Sequence, residues 1–303
     1  VGIRDIIRQE QSCGALHFSC EIVSAFFVIT VKQASMFKSP LRYPGGKNRL
    51  VKIISELAPK DFLEYREPFL GGGSVLLKMM EDYPGRRYWA NDLYYDLFCF
   101  WNMAQKNPEE LVSKIKVIKD RWSGDGKGLH RYLVDNIATM SPIDKAAAFF
   151  VLNRITFSGT SLSGGFSKSA FETRFTDSSI ERLMSMGQVL QGKDLTITNE
   201  DFSSVLTGGD SSVFTFLDPP YYSATDSALY GKNGELHKGF DHERLADSLK
   251  DCNHRWLMTY DDCEYIRELY KDFNIKEFEL MYGMRNVSKN ADMKGKEVFI
   301  FNY

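Results

Sequence analysis

The chain has 303 residues, 43% apolar and 26% charged, a balance that supports a core of ordinary size and excludes wholesale disorder. A formal net charge of −2 excludes nucleic-acid binding through bulk charge, so any DNA contact must come from local positive charge. The five cysteines, Cys13, Cys20, Cys99, Cys252 and Cys263, form no Cys-x-x-Cys pair, which argues against a zinc site or a disulfide framework and for reduced thiols in a cytoplasmic compartment.

Residues 13–31 are largely apolar, but His17 and Glu21 interrupt them and make a poor membrane span. They read as part of an N-terminal extension, residues 1–36, of unassigned role, with Met36 as a candidate start. No other segment reads as membrane-spanning. Residues 62–69 mix apolar and charged side chains and lead into Gly71-Gly72-Gly73. Residues 74–82 read as a helix, and residues 87–90 as a strand ending in Asn91-Asp92. Strand, glycine turn, helix, strand, acid is the opening of a nucleotide-binding α/β unit. Asp92 stands about 20 residues past the glycines, the spacing of an acid that grips ribose hydroxyls.

From 106 to 190 the chain reads as helices and polar loops. A basic run from Lys114 to Arg131 falls here, a pattern more often a solvated helix face than a DNA footprint. Arg154 opens a loop of small polar residues, 156–166, without strand alternation. The α/β rhythm then resumes. Residues 195–198 and 213–217 read as strands, 242–251 as a helix, 256–260 as a strand, 262–270 as a helix and 297–303 as a closing strand. The expected fold is one α/β domain, residues 37–105 and 191–303, interrupted by a helical insertion, residues 106–190.

Asp218-Pro219-Pro220-Tyr221 is the sharpest motif. It follows an apolar strand, at the carboxyl end of a sheet, where open α/β folds bind ligands. The prolines fix the backbone and remove two N–H donors, leaving carbonyls free to accept. A carboxylate and a neighbouring carbonyl match the two N–H donors of one amino group, and Tyr221 adds a face for a planar base. The rival reading is a strand end turned by prolines. Glu67-Pro68-Phe69-Leu70-Gly71-Gly72-Gly73-Ser74 is a second motif, in which glycines let backbone approach a ligand before a helix begins. A dinucleotide site is its natural rival, although the full Gly-x-Gly-x-x-Gly is absent. Arg42-Tyr43-Pro44-Gly45-Gly46-Lys47 sets a lysine beside a tight turn, suited to a carboxylate or phosphate. In Asn199-Glu200-Asp201-Phe202, Asp201 could accept from an adenine amino group and Phe202 could stack on the ring; a helix cap is the plainer alternative.

In this order the motifs resemble the Dam-like alpha group of DNA adenine N6-methyltransferases, from about Phe37 to Tyr303. The resemblance implies a Rossmann-like, S-adenosylmethionine-dependent methyltransferase domain with a helical target-recognition domain inserted at 106–190. It implies a cofactor pocket of Tyr43, Lys47, Glu67, Asp92 and Asp218, with Phe69 and Gly71 to Gly73 along the methionine part and Asp201 and Phe202 at the adenine. Asp218, Pro219, Pro220 and Tyr221 would form the catalytic segment that holds a flipped target adenine in double-stranded DNA. No metal is expected, the compartment is the bacterial cytoplasm, and a cognate restriction endonuclease is a candidate partner. Members that methylate GATC carry Arg-x-Asn-x-x-Gly-x-Phe-Asn, whereas this region reads Asn153-Arg154-Ile155-Thr156-Phe157-Ser158-Gly159, so that target does not carry over. Arg42, Asn153, Arg154 and Thr156 are the expected DNA contacts, with arginine and asparagine suited to guanine and adenine edges and phosphate the alternative for Arg154. The rival functions are methylation of cytosine N4 and, more remotely, an NAD-binding oxidoreductase, which would leave Asp-Pro-Pro-Tyr without a purpose.

Overall fold

Continuous apolar runs become strands buried on both faces. Val213–Leu217 (β4) is buried at all five positions, and Arg255–Asp261 (β5) at six of seven. The computed structural model describes residues 38–43, 45–224, 239–278 and 297–303. The N-terminal extension with Met36, Cys13 and Cys20, and also Pro44, lie outside the described residues. The remaining strands are Glu64–Glu67 (β1), Arg87–Asn91 (β2), Leu195–Thr198 (β3), Asn274–Phe278 (β6) and Glu297–Phe301 (β7). All seven form one sheet in the order β3-β2-β1-β4-β5-β7-β6. The first five are mutually parallel, and β7 runs antiparallel to both β5 and β6.

The pleat sends alternate residues to opposite faces, and two apolar layers follow from it. Tyr65, Phe214, Phe216, Leu257 and Phe299 join one layer, and Leu217, Trp256, Met258, Val298 and Ile300 the other. Helices Val51–Leu57 (α1), Ser74–Asp82 (α2) and Tyr95–Lys106 (α3) contribute to the first layer. Helix α3 buries Leu97, Phe100, Trp101 and Ala104, the spacing of one helical face.

Five helices separate α3 from β3: Pro108–Arg121 (α4), Gly126–Asn136 (α5), Pro142–Ile155 (α6), Lys168–Arg174 (α7) and Asp177–Gln191 (α8). Helix α6 starts well, with proline in its first turn and the Ser141 hydroxyl accepting from the Asp144 amide, and it is buried continuously from Lys145 to Ile155. Both α6 and α8 pack on α3, so one apolar core runs from the sheet into the inserted helices. Short helices Phe202–Leu206 (α9), His242–Lys250 (α10) and Glu264–Leu269 (α11) complete the second face. The architecture is the expected α/β fold with a helical insertion. Among the described residues no helix is long and apolar enough to cross a membrane.

Candidate active site

Strands β1 and β4 are neighbours, but β2 and β3 follow on one side and β5 on the other. A crevice opens at such a reversal, beyond the carboxyl ends of the strands. The glycine motif leaves β1 there and Asp-Pro-Pro-Tyr leaves β4, so the topology brings together segments about 150 residues apart. A cavity of about 380 Å³ lies between them, lined by every residue expected in the cofactor pocket and the catalytic segment.

The glycine turn is fixed by long-range bonds. Gly71 and Gly73 adopt left-handed backbone, with φ of 49° and 65°. The Gly71 amide donates to Asp92 Oδ2 at 2.8 Å, the Tyr94 amide to Oδ1 at 2.9 Å, and the Trp101 indole N–H to the Gly71 carbonyl at 3.0 Å. Burial raises the Asp92 carboxyl to about 6, although these two amide bonds work in the opposite direction. Asn91 ties three loops together. Its amide donates to the Pro68 carbonyl at 3.1 Å and the Glu200 carbonyl at 2.9 Å, and it accepts from the Glu200 amide at 2.9 Å. Glu67 is buried and accepts from the Tyr65 hydroxyl at 2.7 Å. Burial drives its carboxyl well above the usual range, and the charges of Asp218 and Asp92 add to that.

Lys47 lies across the cavity floor. Its Nζ is 2.8 Å from Asp218 Oδ1, 3.1 Å from the Gly45 carbonyl and 4.8 Å from the centre of the Tyr221 ring. Thr259 of β5 donates to the same Asp218 Oδ1 at 2.9 Å. Among the described residues Asp218 Oδ2 meets no protein donor. The Tyr221 ring stacks on Tyr260, with centroids 5.9 Å apart, and its hydroxyl donates to Glu297 at 3.0 Å. At the other end of the cavity Phe69, Phe202 and Phe240 form a triangle with centroid separations of 5.7, 5.7 and 5.8 Å.

The profile of the D12 class of N6 adenine-specific DNA methyltransferases matches residues 43–284. The chain belongs to this family. It methylates the N6 amino group of adenine in DNA, and cytosine N4 is set aside. Among its relatives is the type II methyltransferase M1.LlaDCHI of Lactococcus lactis, 25% identical over 285 residues, covering 86% of this chain and 94% of that one. The type II methyltransferase M.MjaIII of Methanocaldococcus jannaschii is 24% identical over 295 residues, covering 87% and 98%. The DNA adenine methylase of Haemophilus influenzae is 23% identical over 269 residues, covering 84% and 90%.

The methyltransferase does not hold all of its expected site residues in the expected way. Asp201 lines the cavity, but its Oδ1 caps α9 through the Ser203 amide at 3.0 Å, accepts from the Ser203 hydroxyl at 2.6 Å and pairs with Arg244. Asn153 and Thr156, expected at base edges, have no exposed surface. The Asn153 amide closes a loop instead, donating to the Arg42 and Gly159 carbonyls at 2.8 Å each and accepting from the Arg42 amide at 2.9 Å. The Thr156 hydroxyl returns to the Leu152 carbonyl at 2.7 Å. Arg154 is buried and donates to the Pro40 carbonyl. In this arrangement all three side chains are turned inward onto backbone carbonyls, those of Arg42 and Gly159 for Asn153, Leu152 for Thr156 and Pro40 for Arg154. Arg42 is the most accessible of the four. Phe240, Thr259, Glu297 and Trp101 carried no signal in the sequence, since each acts through a partner distant in the chain.

Proposed function

We propose that the cavity holds S-adenosylmethionine between the glycine turn and the phenylalanine triangle, with the target adenine entering at Asp218 to Tyr221. When bound, the cofactor supplies an electrophilic methyl group on a cationic sulfonium. The lining suits that charge. Among the described residues its two cations, Lys47 and Arg244, are each paired with an aspartate, and Asp92 has no cation of its own. A dinucleotide would bring a pyrophosphate to the same acidic lining, which disfavours an NAD-binding oxidoreductase. Asp92 would take the ribose hydroxyls, Phe69 and Phe202 the apolar faces, and Asp201 the rim near the adenine.

The observation that carries the reading is Asp218. Lys47 and Thr259 both hold Oδ1, among the described residues no protein donor meets Oδ2, and the Pro219 carbonyl follows next in the chain. Two acceptors at one point match the two N–H bonds of adenine N6. Drawing on both bonds favours a more tetrahedral nitrogen, and the carboxylate stabilises positive charge as it forms there. Tyr221 stacks on the extruded base, which offsets part of the few kcal/mol of unstacking. Holding the nitrogen in register supplies much of the remaining acceleration. Residues 106–190 serve as the target-recognition domain, and the type II names of two relatives support a cognate restriction endonuclease as partner.

S-adenosylmethionine affinity is expected to fall as pH drops below about 6, approaching tenfold per pH unit. Ribose hydroxyls donate to an ionised Asp92, so below that pH the ligand must displace a proton. The unliganded fold responds in the opposite sense. Its stability from this group is full below about pH 4 and is lost as pH rises through about 6. Titration calorimetry from about pH 5 to 8 on wild type and Asp92→Asn tests this, because the variant must lose the pH dependence. An unchanged slope in the variant removes Asp92 from the ribose.

DNA is held through local positive charge. Arg154 is brought down to about 10 by burial, with repulsion from Arg182, Arg42 and Arg174 adding to it. Among the described residues none of these four arginines has a carboxylate partner, and the Arg154 Nε is buried without an acceptor. A phosphate beside the more accessible Arg42, Arg174 and Arg182 would supply the missing negative charge. Arg174→Ala/Arg182→Ala is expected to weaken DNA binding at all sequences and to lower the slope of log affinity against log salt by about 2. Fluorescence anisotropy across a salt series checks it, and an unchanged slope overturns the assignment.

A further inference from the structure

Strand β5 holds the catalytic segment at both of its ends. Thr259 donates to Asp218 at 2.9 Å. Two residues on, Asp261 accepts the backbone N–H of Tyr222 on Oδ1 and of Ser223 on Oδ2, each at 2.9 Å. These are the amides immediately after Tyr221. The register sets Asp261 directly opposite Glu297 on β7. Both side chains are buried, at 8% and 9% exposure, and neither lines the cavity.

Like charges directly opposite on paired antiparallel strands destabilise a sheet. An acid pair at the buried end of β5 and β7 is therefore a poor choice for the sheet alone. It is well matched to three donors in one short segment: the Tyr221 hydroxyl on Glu297, and the Tyr222 and Ser223 amides on Asp261. Neither carboxylate lines the cavity, so the pair fixes the path of the segment without touching a ligand.

We propose that Asp261 is a positioning residue for methyl transfer, fixing the chain after Tyr221 so that Asp218 and the Tyr221 ring meet the adenine in register. The inference rests on the reading of Asp218 to Tyr221 as the grip on the base. Asp261→Asn keeps the shape but sets an NH2 group against one of the two amide donors. In the 303-residue chain it is expected to lower the single-turnover methylation rate roughly 100-fold, the scale of a misplacement of about 1 Å. The dissociation constant for S-adenosylmethionine should stay within about twofold, because Asp261 is not in the cavity. The melting temperature should stay near that of wild type, because relief of the repulsion with Glu297 offsets the loss of one amide bond.

Rate loss with cofactor affinity and melting temperature retained supports the proposal. An unchanged rate, or a joint loss of rate, affinity and melting temperature, overturns it. Asp218→Ala assayed in parallel separates the two readings. If Asp218→Ala is inactive while Asp261→Asn matches wild type, the positioning role alone fails. If Asp218→Ala retains transfer, the grip on the base fails first.

Discussion

Asp218→Ala is expected to lower the single-turnover rate of methyl transfer by about 10³-fold, about 4 kcal/mol of transition-state stabilisation, while DNA still binds. The conservative Asp218→Asn should lose nearly as much. Lys47 and Thr259 both donate to Asp218 Oδ1, at 2.8 and 2.9 Å. An asparagine placed there must turn its oxygen toward those two donors. Its NH2 then faces the adenine amino group, donor against donor, with the base grip inverted rather than weakened. Transfer of labelled methyl from S-adenosylmethionine to a duplex measures both variants. An Asp218→Asn enzyme within tenfold of wild type would show that the open oxygen is not the acceptor for N6.

That argument depends on Thr259, which the sequence did not single out, while Asp218 was its clearest signal. The difference is physical. Buried parallel strands write themselves as continuous apolar runs, so Val213–Leu217 was legible together with the motif that leaves it. Strand β6 was not, because Asn274–Phe278 is an edge strand whose Lys276 and Glu277 are exposed. Helix α1 carries no side-chain cap at Leu50 and few buried positions, so it leaves little periodicity to read. Within the site, legible residues are those whose type alone implies chemistry: an acid after a strand, a glycine turn, an aromatic after Pro-Pro. Thr259, Asp261 and Glu297 acquire meaning only when β5 and β7 are laid beside the catalytic segment.

The same limit explains the inserted loop. Asn153 and Thr156 were expected at DNA, the asparagine because its amide suits an adenine edge. Asn153 instead holds the Gly159 carbonyl of that loop, the Thr156 hydroxyl returns to the Leu152 carbonyl of α6, and both residues are buried doing so. Arginine is harder to satisfy internally, and the group around Arg154 keeps the positive charge that the net charge of −2 conceals.

Gly73→Ala should produce the largest loss of stability among single substitutions in the cofactor pocket. Gly73 caps α2 with φ of 65°, a conformation that costs an L-residue about 1–2 kcal/mol. A Cβ there would sit 2.5 Å from Cζ2 and 2.7 Å from Cη2 of Trp101. Trp101 has no room to yield, since it is fully buried and its indole N–H is held by the Gly71 carbonyl at 3.0 Å. Overpacking of this kind adds roughly 1–3 kcal/mol. The sum, about 2–5 kcal/mol, should lower the melting temperature by roughly 10 °C. Displacing Trp101 also frees Gly71, whose amide holds Asp92, so S-adenosylmethionine affinity should fall with stability. Gly85→Ala isolates the backbone contribution. Its φ of 81° is equally left-handed, but nothing lies within 4 Å of the added Cβ. Thermal unfolding and calorimetry on the two variants decide the matter. If Gly73→Ala loses no more than Gly85→Ala, the contact with Trp101 does not hold the turn in place, and the rigid link from α3 through the glycines to Asp92 is absent.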